Sequence, residues 1–536
     1  MTKLSRRDFT KIFASASLGA AFLGTTMAEA AVSSGADGKP AAGGTLRIVT
    51  ASEQPSFVDL FGNGATPAVQ GELISIDSDL NPHPSAAQNW EVSEDGKSYT
   101  FHLRPGIKWH DGKPFTSADV AFSILTLKEV HPRRKNTFAN VTAVETPDPL
   151  TAIVRLSAPA PYLLGALSGA GTALVAKHLY EGTDLKTNPY NRKPVGIGPF
   201  IFKEWEQGSH FVLERNPNYW DQGKPYLDQI IVRIIPDSAA RAAALEAGEV
   251  DFGTGSPVPY SDVERFVATG KFAVDTKGYE LGGNLHQLFF NLDNAFLKKL
   301  KVRQAIAHSF DINQIIKLVW NGYATPAATA IVPDLKQFHD ASLKHYTYDP
   351  DLAEKLLDEA GFPRGADGTR AKLNLTWNPG MAQQKLAADY IRFALGKVGI
   401  SVNILSFEFS TYITKVYTER VFDIDVQNLN NGYDPTDGVD RAFLSTNIKK
   451  GLAWSNHMHY SNPEVDALLT EAAGEPDAAK RRDKYVKFQE IIHRDLPVVN
   501  FVQFQRITLF NTKVHDHTTA AARVGADYFD RTWITG

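Results

Sequence analysis

Residues 88–120 read QNWEVSEDGKSYTFHLRPGIKWHDGKPFTSADV, and the order of residue types in this stretch decides the fold. Trp90, Val92, Tyr99, Phe101 and Leu103 fall on alternate positions on either side of the polar run Glu94-Asp95-Gly96-Lys97. That is the pattern of two half-buried strands joined by a turn. Pro105-Gly106 and Asp111-Gly112 then bracket Trp109 in a second tight reversal. Thr116 or Ser117 caps a helix that carries Asp119 in its first turn. Taken alone, the alternation is a structural motif that any β-rich domain can contain.

The order W-E-V-S-E-D-G followed by Y-T-F-H-L-R-P-G-I-K-W-H-D-G-K-P-F-T-S-A-D-V resembles the most characteristic block of the family 5 extracellular solute-binding proteins. These are the peptide, nickel and opine receptors of bacterial ABC importers. The resemblance implies an α/β fold of two lobes on a hinge of two connecting strands, with an extra accessory domain. It also implies capture of a small molecule and delivery to a membrane permease, with no catalysis and no cofactor.

Composition agrees with that class. A chain of 536 residues exceeds what one core usually serves, and 43% hydrophobic with 22% charged residues is globular in balance. A net charge of -4 gives no basic footprint for nucleic acid. The absence of cysteine excludes disulfides, thiolate metal sites and a lipid-anchor cysteine.

At the N-terminus, Ser5-Arg6-Arg7-Asp8-Phe9 precedes an apolar segment from Ile12 to Gly24 and a small-x-small site, Ala28-Glu29-Ala30. This resembles a twin-arginine export signal over 1–30, cleaved near Ala30, with a flexible leader over 31–43. The apolar run is shorter than the roughly 20 residues a spanning helix needs. The expectation is a monomer in the periplasm.

Further along the chain, Pro194-Val195-Gly196-Ile197-Gly198-Pro199-Phe200 resembles the step by which the family returns from its accessory domain. The expected boundaries are 44–85, 196–285 and 508–536 for lobe 1, 86–195 for the accessory domain and 286–507 for lobe 2. In the family, the loop after the strand 45–50, with Glu53, faces the cleft, and 254–260, with Ser256 and Tyr260, lies along its edge. Glu53 reads equally as a solvated loop carboxylate. The chain enters lobe 2 through 279–291, which carries His286 and Gln287, and leaves through 498–510. A lobe entered and left by neighbouring strands can rotate as a body. Within lobe 2 the strand 373–377, the helix 383–395 and the strands 401–405 and 422–426 keep a βαβ rhythm.

Catalytic motifs of defined spacing are absent from the sequence. There is no H-E-x-x-H, no G-x-S-x-G and no G-x-x-x-x-G-K-[ST]. His457-Met458-His459 and His515-Asp516-His517 have spacing that a metal chelate can use, yet each lacks an evident further ligand. The recognition candidate is Gln427-Asn428-Leu429-Asn430-Asn431-Gly432-Tyr433-Asp434-Pro435, read as the loop after a strand ending at Val426. It is either cleft lining or ordinary turn chemistry.

In peptide-binding relatives an aspartate four residues before the proline pairs with the ligand's amino group; here that position is Asn431. Gln427, Asn430 and Asn431 offer paired donors and acceptors, and Asp434 or Glu53 offers an alternative counter-charge. Trp377 with Asn378, Tyr433 and Trp454 supply flat or polar faces beside them. The expected ligand is a polar organic solute, either an opine or sugar-like conjugate or a short peptide, with a metal chelate as a weaker reading.

Overall fold

A computed structural model describes residues 40–62, 66–168, 172–518 and 528–536. The signal-peptide reading and most of the leader fall outside these residues. Among the described residues no helix is long and apolar enough to cross a membrane.

Three sheets organise the chain. The first has seven strands in the order Phe272–Asp275, Thr508–Asn511, Phe252–Gly253, Thr45–Thr50, Gln229–Ile234, His210–Arg215 and Phe200–Glu206. The second has six: Ala324–Pro326, Val498–Phe504, Asn284–Phe290, Ile424–Asn430, Ala371–Trp377 and Ile400–Leu405. The third, the accessory part, has four: Ala87–Val92, Ser98–Leu103, Thr151–Leu156 and Val141–Asp148.

The accessory part is built around residues 88–120. Tyr99, Phe101 and Leu103 point into its core, where Trp109 meets Phe115 edge to face at 5.6 Å. Val92 is exposed rather than half-buried, because Ala87–Val92 is the edge strand and its outer face has no cover. Thr116 begins the helix Ser117–Val130; its backbone N–H donates to Asp119 Oδ2 at 2.9 Å, so the first-turn carboxylate satisfies an otherwise open donor. The strand Val141–Asp148 escaped the sequence reading because its outer half is exposed on both faces and carries no alternation.

The accessory part is fastened to the first sheet's lobe. His110 hydrogen-bonds the carbonyl of Gly198 at 3.0 Å, and Gly198 N–H donates to Val69 O at 2.9 Å. A Cβ on Gly196 would lie 1.7 Å from Val69 O, so only glycine permits this approach.

The sheets of the two lobes are joined by two adjacent segments. The strand Phe272–Asp275 pairs with Thr508–Asn511 in lobe 1, and Asn284–Phe290 pairs with Val498–Phe504 in lobe 2. Residues 276–283 and 505–507 therefore cross between the sheets side by side.

One boundary differs from the sequence reading. The strand that was to end at Val426 runs on to Asn430, so Gln427, Asn428 and Asn430 are strand residues. Asn284–Phe290 pairs with it along its whole length, Ala371–Trp377 flanks its first residues, and opposing polar side chains such as Gln287 and His286 stand across from the amides. Tertiary pairing overrides the turn preference of Asn here.

Candidate functional site

Hydrogen bonds run as a belt around the two crossings. Asn431 N–H donates to Gly283 O at 2.9 Å on the first crossing. The Asn431 side chain, fully buried, donates through Nδ2 to Ala330 O (3.2 Å) and accepts at Oδ1 from Val332 N–H (2.7 Å). Two residues on, Asp334 accepts from the Gln503 amide at the start of the second crossing. On that crossing Tyr260 OH donates to Gln505 O at 2.7 Å, Ser256 N–H to Ile507 O at 2.8 Å, and Ile507 N–H to Ser256 Oγ at 3.3 Å. Gly255 N–H donates to Tyr279 OH at 2.8 Å, and Tyr279 OH also bonds Thr508 Oγ1 at 2.7 Å, which returns to the first crossing.

Ser256 holds φ at +65°, a left-handed conformation that is costly outside glycine. Its bonds to Ile507 over-determine it.

Three ionisable groups stand on this belt, and the sequence reading singled out none of them. Arg506, half-buried between Gln505 and Ile507, makes no hydrogen bond or ion pair among the described residues, and its Nε is buried without a partner. Glu280 accepts from Gly278 N–H at 3.1 Å through one oxygen, and its other oxygen is buried without a partner. Burial raises the Glu280 carboxyl above the ordinary range, and Asp334 and Asp275 add to the rise. Asp334 is exposed to solvent, yet enough protein surrounds it that desolvation raises its carboxyl too.

The sequence candidates divide by place. Ser256, Tyr260 and Asn431 belong to the belt. His286, Gln287 and Gln427 are buried within the second sheet, on its two faces. On one face, Gln287 Nε2 donates to Asn500 Oδ1 (2.6 Å), Tyr417 OH donates to Gln427 Oε1 (2.9 Å), and Gln427 Nε2 meets His457 (3.0 Å).

On the other face, His286 bonds Gln384 Oε1 through Nε2 (3.1 Å) and accepts from Trp320 Nε1 at Nδ1 (3.3 Å). Asn430 is exposed at the strand end and accepts from Gly432 N–H at 3.0 Å.

The remaining candidates have partners of their own. Asp434 is held by Arg481 through two bonds of 2.7 Å, and Tyr433 lies against Gly165 of the accessory part. Trp377 donates to Ser406 Oγ at 3.3 Å, Asn378 Oδ1 accepts from Gly380 N–H at 2.9 Å, and Trp454 packs on Tyr417 with ring centres 5.7 Å apart. Glu53 accepts from Trp205 Nε1 (2.7 Å) and Gly208 N–H (2.9 Å) in lobe 1.

The histidine pairs are split rather than convergent. His457 is buried on Gln427 while His459 bonds Asp293 at 2.8 Å; His515 stacks on Trp533 while His517 packs on Phe510. Among the described residues no group of three His, Asp or Glu side chains is placed to hold a metal ion. A cavity of about 280 Å3 lined by Arg104, Trp220 and Asp530 shares no residue with the belt.

Buried histidines give a pH dependence. Burial lowers His286 to about 3, only partly offset by its bond to Gln384, because a proton on Nδ1 would face the Trp320 N–H donor. Burial likewise lowers His110 to about 4. Their folded values lie below the usual 6.5, so at pH 7 they add no penalty. As pH falls from 6.5 toward 4 the unfolded chain takes up protons that the folded chain refuses, and stability is lost. Each such residue should cost about 2 kcal/mol by pH 5. The melting temperature should therefore fall steadily below pH 6.5; a flat profile between pH 7 and 5 would contradict the assignment.

Two α/β lobes joined by paired crossings, with polar groups collected around those crossings, are the construction of the substrate-binding component of an ABC importer. The chain belongs to the bacterial extracellular solute-binding proteins of family 5, whose middle-region profile matches residues 81–451. This family binds solutes and is non-catalytic.

The chain is 28% identical over 480 residues to the oligopeptide-binding protein AppA of Bacillus subtilis, covering 86% of each chain. Among solved structures it resembles NikZ of Campylobacter jejuni in complex with Ni(L-His), with TM-score 0.77 and 25% identity over 90% of this chain and 97% of that one. It also resembles AgaA of Agrobacterium tumefaciens R10 in complex with agropinic acid, with TM-score 0.73 and 25% identity over 92% and 99%.

Proposed function

We propose that the chain captures a polar organic solute, an opine or sugar-like conjugate or a short peptide, between lobes that rotate about residues 276–283 and 505–507. It then presents the closed form to a permease of the inner membrane. Contacts drive closure only so far as they are better in the closed form. The observation that carries this reading is the pair of short crossings, one of which holds Glu280 and the other Arg506, each with a buried polar atom left open. The named ligands of AppA and AgaA, an oligopeptide and agropinic acid, support a polar organic solute. The paired arginines Arg6-Arg7 and the Ala28-Glu29-Ala30 site support twin-arginine export to the periplasm.

A thermal-shift screen of peptides, opines and oligosaccharides tests the reading. A ligand at 100 times its dissociation constant adds about 2.7 kcal/mol, several degrees in melting temperature. No shift with any of the three classes would refute it.

A further inference from the structure

We propose that Arg506 and Glu280 are the cleft's two charge-reading residues, and that the ligand is a zwitterion whose carboxylate docks on Arg506 and whose ammonium docks on Glu280. This rests on the reading that the ligand enters between the lobes.

Arg506 is a cation held in place with its own donors unused. Its backbone neighbours are tied on both sides, Gln505 by Tyr260 OH at its carbonyl and by Tyr323 O at its N–H (3.0 Å), and Ile507 by Ser256. A Cβ on Gly255 would stand 3.8 Å from Arg506 Nη1, so the turn at 255–256 lies against one end of the guanidinium. A buried polar atom almost always has a partner in the protein or in ordered water, and Nε here has none among the described residues. Guanidinium presents a planar fork of donors that matches a carboxylate by two bonds. Among the described residues no carboxylate takes that place.

Glu280 is the complementary case on the other crossing. One oxygen accepts from Gly278 N–H and the other is buried without a partner, and no lysine, arginine or histidine forms an ion pair with the carboxylate among the described residues. Asp275 and Asp334 are its charged neighbours, both of the same sign, and this makes its surroundings favour a cation. An ammonium arriving there relieves the repulsion and satisfies the open oxygen at once.

Both residues lie at the axis about which the lobes would turn, one on each crossing. Their contribution is to affinity and to the choice of ligand.

The test measures binding by calorimetry for a pool of tripeptides with free termini, the same pool N-acetylated, the same pool C-amidated, octopine, and maltotriose. For the wild-type chain, free-termini tripeptides or octopine should bind and maltotriose should not. Arg506→Gln should weaken the free-termini pool or octopine at least tenfold and leave the C-amidated pool as weak as it is in the wild type, with Arg506→Lys intermediate. Glu280→Gln should weaken the free-amine pool at least tenfold and leave the N-acetylated pool unchanged. Melting curves establish that each variant folds, and should Arg506→Gln not fold, Arg506→Lys carries the comparison.

Binding of maltotriose with no zwitterion bound would overturn the proposal while leaving solute capture standing. Zwitterion binding that is indifferent to both substitutions would overturn it too. Binding of nothing in the panel would overturn both readings together.

Discussion

Arg481→Met is expected to lower the folding free energy by about 3–5 kcal/mol, because it leaves the Asp434 carboxylate buried without its counter-charge. Both side chains are only 5% exposed, so solvent offers little screening. Arg481 Nη1 and Nη2 each reach an oxygen of Asp434 at 2.7 Å, Nη2 also donates to Thr436 Oγ1 at 2.9 Å, and Nε donates to Ala472 O at 2.8 Å. The guanidinium lies over the rings of Phe338 and Tyr485 at 5.0 and 5.4 Å. Burial alone would lower its proton affinity, but the charge and hydrogen bonds of Asp434 outweigh that and raise it.

Asp434 meanwhile accepts from Thr436 N–H at 2.9 Å and begins the turn Pro435–Gly438. The urea midpoint of Arg481→Met should drop with no change in slope. Asp434→Leu combined with Arg481→Met should cost clearly less than the sum of the two single changes, since no charge is then stranded. Additive losses would show that the pair is not one unit.

That salt bridge also marks the edge of what the sequence could disclose. Asp434 reads as a free counter-charge when seen only beside Tyr433 and Pro435. Its partner lies 47 positions away on the helix Ala478–Asp495, a separation that no local pattern reveals. Asn431 is similar: nothing near it in sequence announces that both ends of its amide serve the backbone at 330 and 332.

By contrast, the hairpin at 90–103 and the cap at Thr116 on Ser117–Val130 were legible. Alternation and capping act over a few residues. Gln427, Asn428 and Asn430 misled because Asn favours turns when alone, whereas here neighbouring strands hold them extended.

Arg506 and Glu280 left only a faint trace. Gln505-Arg506 is a pair of adjacent polar residues in a return segment where Asn500 and Gln503 stand singly among apolar ones, and Glu280 follows Tyr279 at the opposite crossing. Two such signals 226 positions apart become a site only when the pairing of Phe272–Asp275 with Thr508–Asn511 brings their strands together.

Gly165→Ala is expected to weaken ligand binding by roughly 5- to 150-fold, and the reason is geometric. A Cβ at Gly165 would fall 2.1 Å from Tyr433 Cδ2 and 2.3 Å from Cε2, well inside contact distance. Gly165 sits in the short helix Leu163–Ala166 of the accessory part, which is fastened to lobe 1 through His110 and Gly198. Tyr433 comes from lobe 2, directly beyond the strand Ile424–Asn430. The same boundary carries a hydrogen bond from Thr137 Oγ1 to Asp437 Oδ1 at 3.3 Å and the approach of Arg134 to that oxygen at 3.8 Å.

An added methyl therefore acts where the accessory part meets lobe 2. Overpacking of this kind costs about 1–3 kcal/mol, and a cost borne by the closed form alone appears in full as lost affinity. Calorimetry with whichever solute the thermal-shift screen identifies gives the affinity, and small-angle scattering of the bound protein gives the closure. The variant should show a larger radius of gyration at saturating ligand, and adding Tyr433→Ala should restore much of the binding by making room for the methyl. A fall in melting temperature with affinity and radius both unchanged would mean that Tyr433 and Gly165 stay in contact throughout, and that the lobes turn without parting there.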